Sequence, residues 1–488
     1  MRIAFVASEC VPYSKTGGLA DVVGALPQAL AELGHQLEVL VPRYRVTAPG
    51  TVVQEASNIT LPLTSGFRFA AIQHGGASQG VSYYLVDCPE FFDREGLYQA
   101  PDGTDYPDNA VRFAAFCLAC LEFMKRQPDP PDIIHCHDWQ TALTAIYLKS
   151  LYARDPFFQR TSTALTIHNL GYQGLFAPDT LPQISLDWSL FSVEGLEFFG
   201  RVNLLKGGIL FSDFITTVSR KYASEIQTNE FGYGLEGVLR SRAEKLRGIL
   251  NGADYKAWNP GTDKLIPAHY TPEQLGGKQA CKGELLRKMG VAEPVMDRPV
   301  IGIVSRFDNQ KGFDLIAGIA EELMKMDLYI VALGTGLPQF EELFRSLAAR
   351  YAEKFLVKIA YDNQLAHQIE AGSDMFLMPS RYEPCGLNQM YSLKYGTVPV
   401  VRATGGLDDT IQEFDGTGGT GFKFAQYSAE ALLVAVCKAV QTYRQRSAWR
   451  RLMQNGMSQD FSWAAAAKSY AEIYWKLREA DAKTKAAP

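Results

Sequence analysis

The chain has 488 residues, of which 47% are hydrophobic and 21% are charged, and its formal net charge is −5. This composition is typical of a folded globular protein and not of a disordered chain, and the length predicts two or three domains of roughly 150 residues each. The negative charge argues against a nucleic-acid partner, and the absence of any run of roughly 18–20 apolar residues argues against a membrane partner.

The first half of the chain alternates predicted strands and helices. Ile3–Ala7 is an apolar run typical of a strand buried on both faces, the loop Ser14–Gly18 follows, and Leu19–Leu33 has helical apolar spacing. Gly34 ends that helix and Leu37–Val41 is the next strand, so the segment predicts a β-α-β unit with a parallel sheet. The further strands predicted in this half are Val81–Val86, Ile133–His135, Thr163–Ile167 and Phe214–Thr217.

The same alternation restarts after Pro299. Val300–Val304 predicts a strand, Ser305–Gly312 a loop and Asp314–Met326 a helix. The further strands predicted here are Leu328–Leu333, Leu356–Tyr361, Met375–Pro379 and Val398–Arg402. Two halves of this kind indicate two doubly wound α/β domains, with a hinge near residues 250–254.

A glycine-containing tetrapeptide, Thr-Gly-Gly-Leu, occurs at residues 16–19 and again at residues 404–407, each time between a strand and a helix. A glycine-rich helix N-terminus at the carboxyl end of a parallel sheet is suited to bind an anion such as a phosphate. Lys15 could add a positive charge there, although it could equally be a solvated surface lysine. The spacing matches neither the P-loop nor the GxGxxG dinucleotide motif.

Charged residues also follow two strands of the second half. Arg306 and Lys311 lie on one predicted loop, where they could neutralise the charge that develops on a departing diphosphate, or could be two exposed charges. Glu383 follows the strand Met375–Pro379 and could accept hydrogen bonds from sugar hydroxyls, while the amides near Gly386 and Leu387 donate. The alternative for Glu383 is a helix-start position that is favourable to the helix dipole.

Histidines and cysteines are also concentrated in the first half. Residues 135 and 137 are both histidines on one face of a strand, but a third ligand at metal spacing is missing, so we expect no metal site. His168 follows another strand and begins a polar loop, where a ligand contact competes with the default interpretation as a buried core histidine. Cys117 and Cys120 lack a second pair and are interpreted as apolar positions on a helix, and the eight cysteines favour a reducing compartment.

Taken together, these segments resemble the bacterial glycogen synthase and plant starch synthase family of glycosyltransferases. The matching segments run in the family's order over nearly the whole chain and are Lys15–Leu19, His135–Trp139, His168–Gly174, Asn251-Gly252, Trp258–Asp263, Ser305–Gly312, Ser380–Leu387 and Thr404–Leu407. The resemblance implies the GT-B architecture, in which two Rossmann-like domains face each other across a cleft. The acceptor-side domain would comprise residues 1–250 and a returning C-terminal helix in 458–488, and the nucleotide-sugar domain residues 251–457.

The resemblance also implies an activity. Glucose would pass from ADP-glucose to the 4-hydroxyl at the non-reducing end of an α-1,4-glucan or maltooligosaccharide, with retention of configuration and without a metal or other cofactor. The residues it places in catalysis are His168, Arg306, Lys311 and Glu383. The residues it places around the donor are Lys15, Gly17, Gly18, Asn251, Tyr361, Cys385, Gly386, Leu387, Thr404 and Gly405, with Tyr361 stacked on the adenine. On the acceptor side it suggests Asp21, Tyr98 and Asp138.

One departure from the wider fold group affects the expected mechanism. That group often has a second glutamate eight residues after the first, and here the residue eight after Glu383 is Tyr391. We therefore expect the nucleoside diphosphate itself to accept the proton of the attacking hydroxyl. The alternatives are a UDP-glucose-dependent enzyme of the sucrose or trehalose-phosphate synthase type, a phosphorylase with pyridoxal phosphate, and a non-catalytic glucan-binding relative. The expected location is the cytoplasm, or the plastid stroma if the chain is the mature part of a longer precursor.

Overall fold

The structure is a computed structural model that describes residues 1–48, 54–64 and 68–486. Its strands are β1 (Arg2–Val6), β2 (Gln36–Pro42), β3 (Gln54–Leu61), β4 (Arg68–Ser78), β5 (Val81–Asp87), β6 (Ile133–His137), β7 (Ser162–Ile167), β8 (Leu175–Phe176), β9 (Glu197–Phe198), β10 (Arg201–Asn203), β11 (Phe214–Thr217), β12 (Leu246–Gly248), β13 (Val300–Val304), β14 (Tyr329–Gly334), β15 (Phe355–Ile359), β16 (Met375–Met378), β17 (Val398–Arg402) and β18 (Phe422–Phe424).

The α-helices connect these strands. They are α1 (Gly18–Glu32), α2 (Pro89–Phe92), α3 (Asn109–Met124), α4 (Asp138–Lys149), α5 (Thr180–Gln183), α6 (Leu204–Phe211), α7 (Arg220–Glu225), α8 (Glu236–Ser241), α9 (Gly276–Lys288), α10 (Phe313–Lys325), α11 (Pro338–Arg350), α12 (Asn363–Gly372), α13 (Asn388–Lys394), α14 (Gly405–Thr410), α15 (Ala429–Tyr443), α16 (Arg446–Met457) and α17 (Trp463–Ala486).

Packing divides the chain into two compact units. Unit 1 comprises the described residues within 1–218, 223–252 and 463–488, and unit 2 comprises residues 219–222 and 253–462. The predicted first domain ends at residue 250, two residues before unit 1 first gives way to unit 2 after Gly252. The predicted returning segment begins at residue 458, five residues before Trp463. Residues 49–53 and 65–67 of the predicted first domain, and residues 487–488 of the returning segment, lie outside the described residues.

The large sheet of unit 1 has the strand order β12-β11-β7-β6-β1-β2-β5-β4-β3. Strands β12 to β5 in this order pair in parallel, and β4 and β3 add an antiparallel edge. Every residue of β6 and β7 is buried, including the histidines of β6 and the hydroxyl residues of β7, as expected for central strands of a parallel sheet that is covered on both faces. The strand order changes direction between β1 and β6, which is where such sheets bind ligands.

Unit 2 contains a second sheet in which all neighbouring strands pair in parallel. Its order is β15-β14-β13-β16-β17-β18, the order of a dinucleotide-binding doubly wound fold. The change of direction here lies between β13 and β16. The predicted strand Leu356–Tyr361 ends earlier than expected, at Ile359, so Tyr361 lies in the loop that follows.

The C-terminal helix α17 completes the core of unit 1. Its Trp463, Tyr470 and Tyr474 side chains are buried in the same core as the apolar face of α1. A Cβ atom on Gly252 would lie 2.5 Å from the Trp463 ring, so this position needs glycine.

The Trp258–Asp263 segment, near the start of unit 2, packs against helices α12 and α13 of the same unit. The Trp258 ring stacks on the rings of His367 and Tyr391, with ring-centroid distances of 3.6 Å and 4.2 Å. The Asp263 carboxylate bonds to Nδ1 of His367 at 2.8 Å and accepts a hydrogen bond from the Tyr395 hydroxyl at 2.5 Å. The segment therefore has a structural explanation, and Tyr391, which stacks on its Trp258, occupies the position where the wider fold group often has a glutamate.

Candidate active site

The residues predicted for catalysis and donor binding follow the carboxyl ends of strands in both units. In unit 1, Lys15 follows β1, Asp138 follows β6, His168 follows β7 and Asn251 follows β12; in unit 2, Arg306 and Lys311 follow β13, Tyr361 follows β15, Glu383 to Leu387 follow β16, and Thr404 and Gly405 follow β17. Polar side chains at these ends are where a parallel sheet presents its ligand contacts.

A buried carboxylate that the motif analysis missed organises the first glycine-containing loop. Glu9 is only 3% exposed, and it accepts hydrogen bonds from the amide and the hydroxyl of Thr16 and, at 3.2 Å, from the amide of Gly17. The Tyr98 hydroxyl donates to the same carboxylate at 2.6 Å and lies 2.7 Å from the Ser8 hydroxyl. The amide of Gly17 is thus used within the protein, and Tyr98 positions the loop.

Space remains open at the start of α1. A Cβ atom on Gly17 or Gly18 would have no atom of a non-neighbouring described residue within 4 Å. The Lys15 ammonium forms a 2.7 Å ion pair with Asp21, which lies in the first turn of α1, and both side chains are partly exposed. The structure therefore brings Lys15, Gly18 and Asp21 together at an accessible helix N-terminus, which is suited to an anion.

His168 is held by contacts from the end of β6. Its amide donates to the Asp138 carboxylate at 2.7 Å, and its Nε2 lies 3.0 Å from Nδ1 of His137. Asp138 has a φ of 56°, a conformation that non-glycine residues seldom adopt. Burial raises the pKa of Asp138 to about 7, and burial lowers the pKa of His168 to about 3. The imidazole of His168 is accordingly neutral at pH 7.

Asn251 supplies a further polar group in unit 1. It is 8% exposed, and its Oδ1 has no hydrogen-bond partner among the described residues. A buried amide oxygen without a partner is unusual, because leaving it unsatisfied costs about 1–3 kcal/mol. The arrangement is therefore consistent with a ligand hydroxyl as its partner.

In unit 2, a cavity of about 180 Å³ lies where the sheet changes direction. The predicted residues that line it are Arg306, Lys311, Glu383, Gly386 and Leu387. The loops after β13 and β16 therefore meet at one site, as the sequence predicts.

An ion pair lies inside this cavity. The Lys311 ammonium donates to Oε2 of Glu383 at 2.7 Å, and the Ser380 hydroxyl donates to the same oxygen at 3.0 Å. The Glu383 side chain is 8% exposed and the Lys311 side chain 18%. Because Oε2 takes both bonds, Oε1 is the carboxylate oxygen that can accept from a ligand.

Arg306 differs from Lys311 in its surroundings. Its side chain is exposed, and across the part of the chain that the structure describes it forms no ion pair or hydrogen bond. A guanidinium that lines a cavity without a protein partner can bind a phosphate through several N–H donors.

The second Thr-Gly-Gly-Leu segment packs tightly against the Glu383 loop. Gly405 has a φ of 46°, and a Cβ atom on it would lie 1.9 Å from the Glu383 carbonyl oxygen. The amide of Gly406 donates to the same carbonyl at 3.0 Å, and Thr404 is the N-terminal cap residue of α14. These contacts position Glu383, whereas the first segment leaves space for a ligand.

Two other predicted donor residues have contrasting environments. Tyr361 is 84% exposed and does not line the cavity, because β15 is separated from β13 by β14. Cys385 is 5% exposed, and the carbonyl of Pro384 before it accepts a hydrogen bond from Ser219 at 2.6 Å. Cys385 therefore belongs to the buried wall of the loop.

The described residues show neither a metal-ligand cluster nor a membrane-spanning helix. Within residues 1–48, 54–64 and 68–486, no group of three or more His, Cys, Asp or Glu side chains could hold a metal ion. None of the described helices is both long and apolar enough to cross a membrane. Cys117 and Cys120 are buried free thiols on α3, as predicted, and burial raises the pKa of Cys117 to about 12.

Comparison with known proteins gives consistent results along the chain. A family model described as the starch synthase catalytic domain matches residues 2–241, and a model described as glycosyl transferases group 1 matches residues 288–455. The chain is 54% identical to glycogen synthase of Koribacter versatilis over 481 residues, covering 98% of this chain and 99% of the relative. It is 46% identical to glycogen synthase of an Anaeromyxobacter species over 484 residues, covering 98% and 99%.

Solved structures agree with these sequence matches. The catalytic domain of starch synthase IV from Arabidopsis thaliana, bound to ADP and acarbose, superposes with a TM-score of 0.89 at 32% identity, covering 98% of this chain and 99% of that one. Sucrose-phosphate synthase from Thermosynechococcus elongatus has a TM-score of 0.60 at 17% identity, covering 98% and 100%, and this similarity concerns the fold alone. The chain therefore belongs to the family of glycogen and starch synthases, which are glycosyltransferases with two α/β domains.

Proposed function

We propose that this protein transfers glucose from ADP-glucose to the non-reducing end of an α-1,4-glucan or maltooligosaccharide, with retention of configuration. The observation that carries the proposal is the cavity of unit 2, where an unpaired cation, Arg306, lies beside the Lys311–Glu383 ion pair; the absence of a partner for Arg306 refers to the described residues. One cavity thus offers positive charge for a diphosphate and a carboxylate oxygen for a sugar.

The proposed roles in unit 2 follow from these contacts. Arg306 binds the diphosphate and stabilises the charge that grows on it as the glycosidic bond breaks. Lys311 adds a second positive charge and fixes the Glu383 carboxylate through Oε2. Glu383 accepts a hydrogen bond from a glucose hydroxyl through Oε1. Gly386 and Leu387 line the same cavity, and their amides donate hydrogen bonds to the nucleotide sugar.

In unit 1 we propose a second set of residues that contact the nucleotide-sugar donor. Lys15 and the open N-terminus of α1 at Gly18 bind the distal phosphate, with Asp21 holding Lys15 between turnovers. His168 lies beside the transferred glucose, and the partnerless Oδ1 of Asn251, counted over the described residues, accepts from a hydroxyl. Tyr98 and Asp138 act indirectly, because one holds Glu9 and the other holds the amide of His168.

Retention is proposed without a protein nucleophile. A double displacement uses two carboxyl groups about 5 Å apart, and position 391, where a second glutamate is often found, carries a tyrosine that stacks on Trp258. The oxygen of the departing diphosphate then accepts the proton of the acceptor hydroxyl on the face that the diphosphate leaves.

The donor base and the acceptor are proposed by analogy with the similar starch synthase structure, which is bound to ADP and acarbose. The exposed ring of Tyr361 offers a stacking face for adenine. We propose that the reaction uses no metal ion or other cofactor, so that excess EDTA leaves the rate unchanged.

The test measures nucleotide release by the full chain with maltooligosaccharide and either ADP-glucose or UDP-glucose. We expect acceptor-dependent ADP release and at least about tenfold slower UDP release, a difference of about 1.4 kcal/mol. Preference for UDP-glucose would favour the sucrose or trehalose-phosphate synthase type. No release from either donor by the folded protein would indicate a non-catalytic glucan-binding relative.

Variants connect the activity to the cavity. Arg306→Ala should lower kcat by about 10²–10³, the usual effect of removing one preorganised charged donor. Arg345→Ala is the matched control, because Arg345 is an exposed arginine on α11 in the same unit and pairs with Glu341. Equal turnover in the two variants would show that Arg306 does not bind the diphosphate.

A further inference from the structure

Three histidines, two of them buried and His168 half-buried, form a group at the carboxyl ends of β6 and β7. His135 and His137 are 0% exposed, and the centroid of the His137 ring lies 4.3 Å from that of His135, 5.4 Å from that of Phe5 and 5.3 Å from that of His168. The only polar contact between His137 and His168 within the described chain joins Nδ1 of the first to Nε2 of the second at 3.0 Å. One of these nitrogens must therefore carry a proton and the other must accept it.

Both rings are neutral near pH 7. Burial lowers the pKa of His168 to about 3 and lowers the pKa of His137 well below its ordinary value. A neutral imidazole has one N–H donor and one acceptor nitrogen. The direction of the contact consequently determines the tautomer of both rings.

The surroundings of Nε2 of His137 determine which of the two rings donates the hydrogen bond. Its Nε2 is buried and has no hydrogen-bond partner in the described ranges. A proton on Nε2 would create a buried N–H without an acceptor, and such groups are rarer in folded proteins than acceptors that lack a donor. The proton of His137 is therefore placed on Nδ1, which donates to Nε2 of His168.

We propose that His137 is a positioning residue that holds His168 as the Nδ1–H tautomer. The nitrogen that His168 can present to a ligand is then a neutral hydrogen-bond donor, suited to an oxygen of the sugar and unable to accept a proton there. The tautomer itself follows from the protein contacts, whereas its use toward the glucose rests on the function proposed above.

Imidazole ¹⁵N chemical shifts of the full chain, labelled at histidine, test the tautomer directly. His168→Asn identifies the His168 resonances among the seven histidines. We expect Nδ1 of His168 to have the shift of a protonated nitrogen and Nε2 that of an unprotonated one. The reverse pattern in the wild-type protein would overturn the inference, whatever the variants do.

Two substitutions of His137 separate tautomer control from packing. His137→Asn keeps an amide donor near the position of Nδ1 and should preserve the His168 shifts, while His137→Phe removes the donor and should change them. His137→Phe should also lower kcat about tenfold to a hundredfold, the effect of losing one hydrogen bond in the site, and His137→Asn should restore most of it. His168 shifts in His137→Phe that match the wild type would contradict the inference.

His135→Phe is the matched control. His135 lies in the same group, but it bonds to the Tyr474 hydroxyl at 2.7 Å and to the Thr166 hydroxyl at 2.6 Å instead of to His168. Its loss should leave the tautomer of His168 unchanged. If the wild-type shifts agree and His168→Ala keeps full turnover, the tautomer stands and the proposed role of His168 beside the glucose is wrong.

Discussion

Glu9 shows how a single buried side chain can organise a binding loop. Its carboxylate holds the backbone of Thr16 and Gly17, and the Tyr98 hydroxyl holds the carboxylate. The sequence could not reveal this role, because a lone glutamate in the loop after a strand matches no motif and its partners become known only once the loop has folded back over it. His137 and Ser380 lie within segments that match the family, as do Arg306, Lys311 and Glu383, which the sequence predicts as site residues. The contacts of His137 with His168 and of Ser380 with Glu383 become known only from the folded structure.

Replacing Glu9 tests whether the loop geometry matters for the donor. Glu9→Gln introduces N–H groups opposite the amides of Thr16 and Gly17, so we expect the KM for ADP-glucose to rise about tenfold through the misplaced loop. Glu38→Gln is the control, since Glu38 is a partly buried glutamate of the same unit that pairs with Arg2 on β1. Steady-state kinetics of both variants, after urea titration shows them folded, measure the effect. An equal KM in the two variants would exclude a positioning role for Glu9.

His135 provides a prediction about pH and stability. Burial lowers its pKa to about 3 in the folded protein, below its ordinary value of 6.5, so the unfolded chain binds more protons between these values. The stabilisation from a neutral His135 is therefore fully present above pH 6.5 and is lost as the pH falls toward 3.

The measurement compares urea unfolding of the wild type and His135→Phe at pH 7 and pH 5. The wild type should lose about 2 kcal/mol more than the variant on acidification, from 1.4 kcal/mol per pH unit. The carboxylates and the other histidines titrate in both proteins, so they cancel in the difference. A parallel loss of stability in the two proteins would show that His135 is not neutral and buried as described.

The two Thr-Gly-Gly-Leu segments show that the same four residues can have different functions in two similar elements. At Gly17 and Gly18 an added Cβ would contact none of the non-neighbouring residues that the structure describes, whereas at Gly405 it would lie 1.9 Å from the carbonyl oxygen of Glu383. Both segments begin a helix after a parallel strand, so the sequence predicts their position and not their difference.

Matched alanine substitutions separate these functions. Gly405→Ala should lower the free energy of unfolding by more than about 1 kcal/mol, because alanine is strained at a φ of 46° and clashes with the Glu383 loop. Gly17→Ala should change stability by no more than about 1 kcal/mol, yet raise the KM for the donor at least about tenfold by occupying space assigned to a phosphate. Urea titration measures the stability of both variants, and steady-state kinetics measure their KM for the donor. A wild-type KM for Gly17→Ala would show that no phosphate binds at that position.

Strands were predicted where apolar or β-branched residues cluster, as in the Val300–Val304 run of β13 and in β6 and β7. The edge strands β3 and β4 were missed, because antiparallel edges carry polar residues such as those of Gln54–Leu61 and lack such runs. Strands β8 and β9 have two residues each, which is too few for any periodicity to be detected. The parallel core of each sheet was therefore predictable, whereas the additions at its edges were not.

The chain as a whole returns to its first unit at the C-terminus. Helix α17 buries Tyr474, whose hydroxyl bonds to His135, and its Arg478 forms a 3.0 Å ion pair with Asp132. The core of unit 1 is thus built from residues more than 300 positions apart in the sequence. Only the resemblance to the family predicted this return, because the local apolar pattern of a helix does not specify its partner.

Two neighbouring residues of α17 test this packing in the full chain. Tyr474→Ala should cost about 3–5 kcal/mol of unfolding free energy, as expected for removing a fully buried aromatic ring. Trp475 is 52% exposed, so Trp475→Ala should cost about 1 kcal/mol or less. Calorimetric unfolding of both variants provides the comparison, and equal losses would show that α17 does not complete the core.

We propose above that the protein extends an α-1,4-glucan from ADP-glucose with retention of configuration. The most direct measurement is the ¹H NMR spectrum of maltooligosaccharide after incubation with the purified chain and ADP-glucose. We predict a product longer by glucose units joined through α-1,4 linkages at the non-reducing end, formed with release of ADP. A β-linked product, or an unchanged acceptor in the presence of folded protein, would contradict the proposed function.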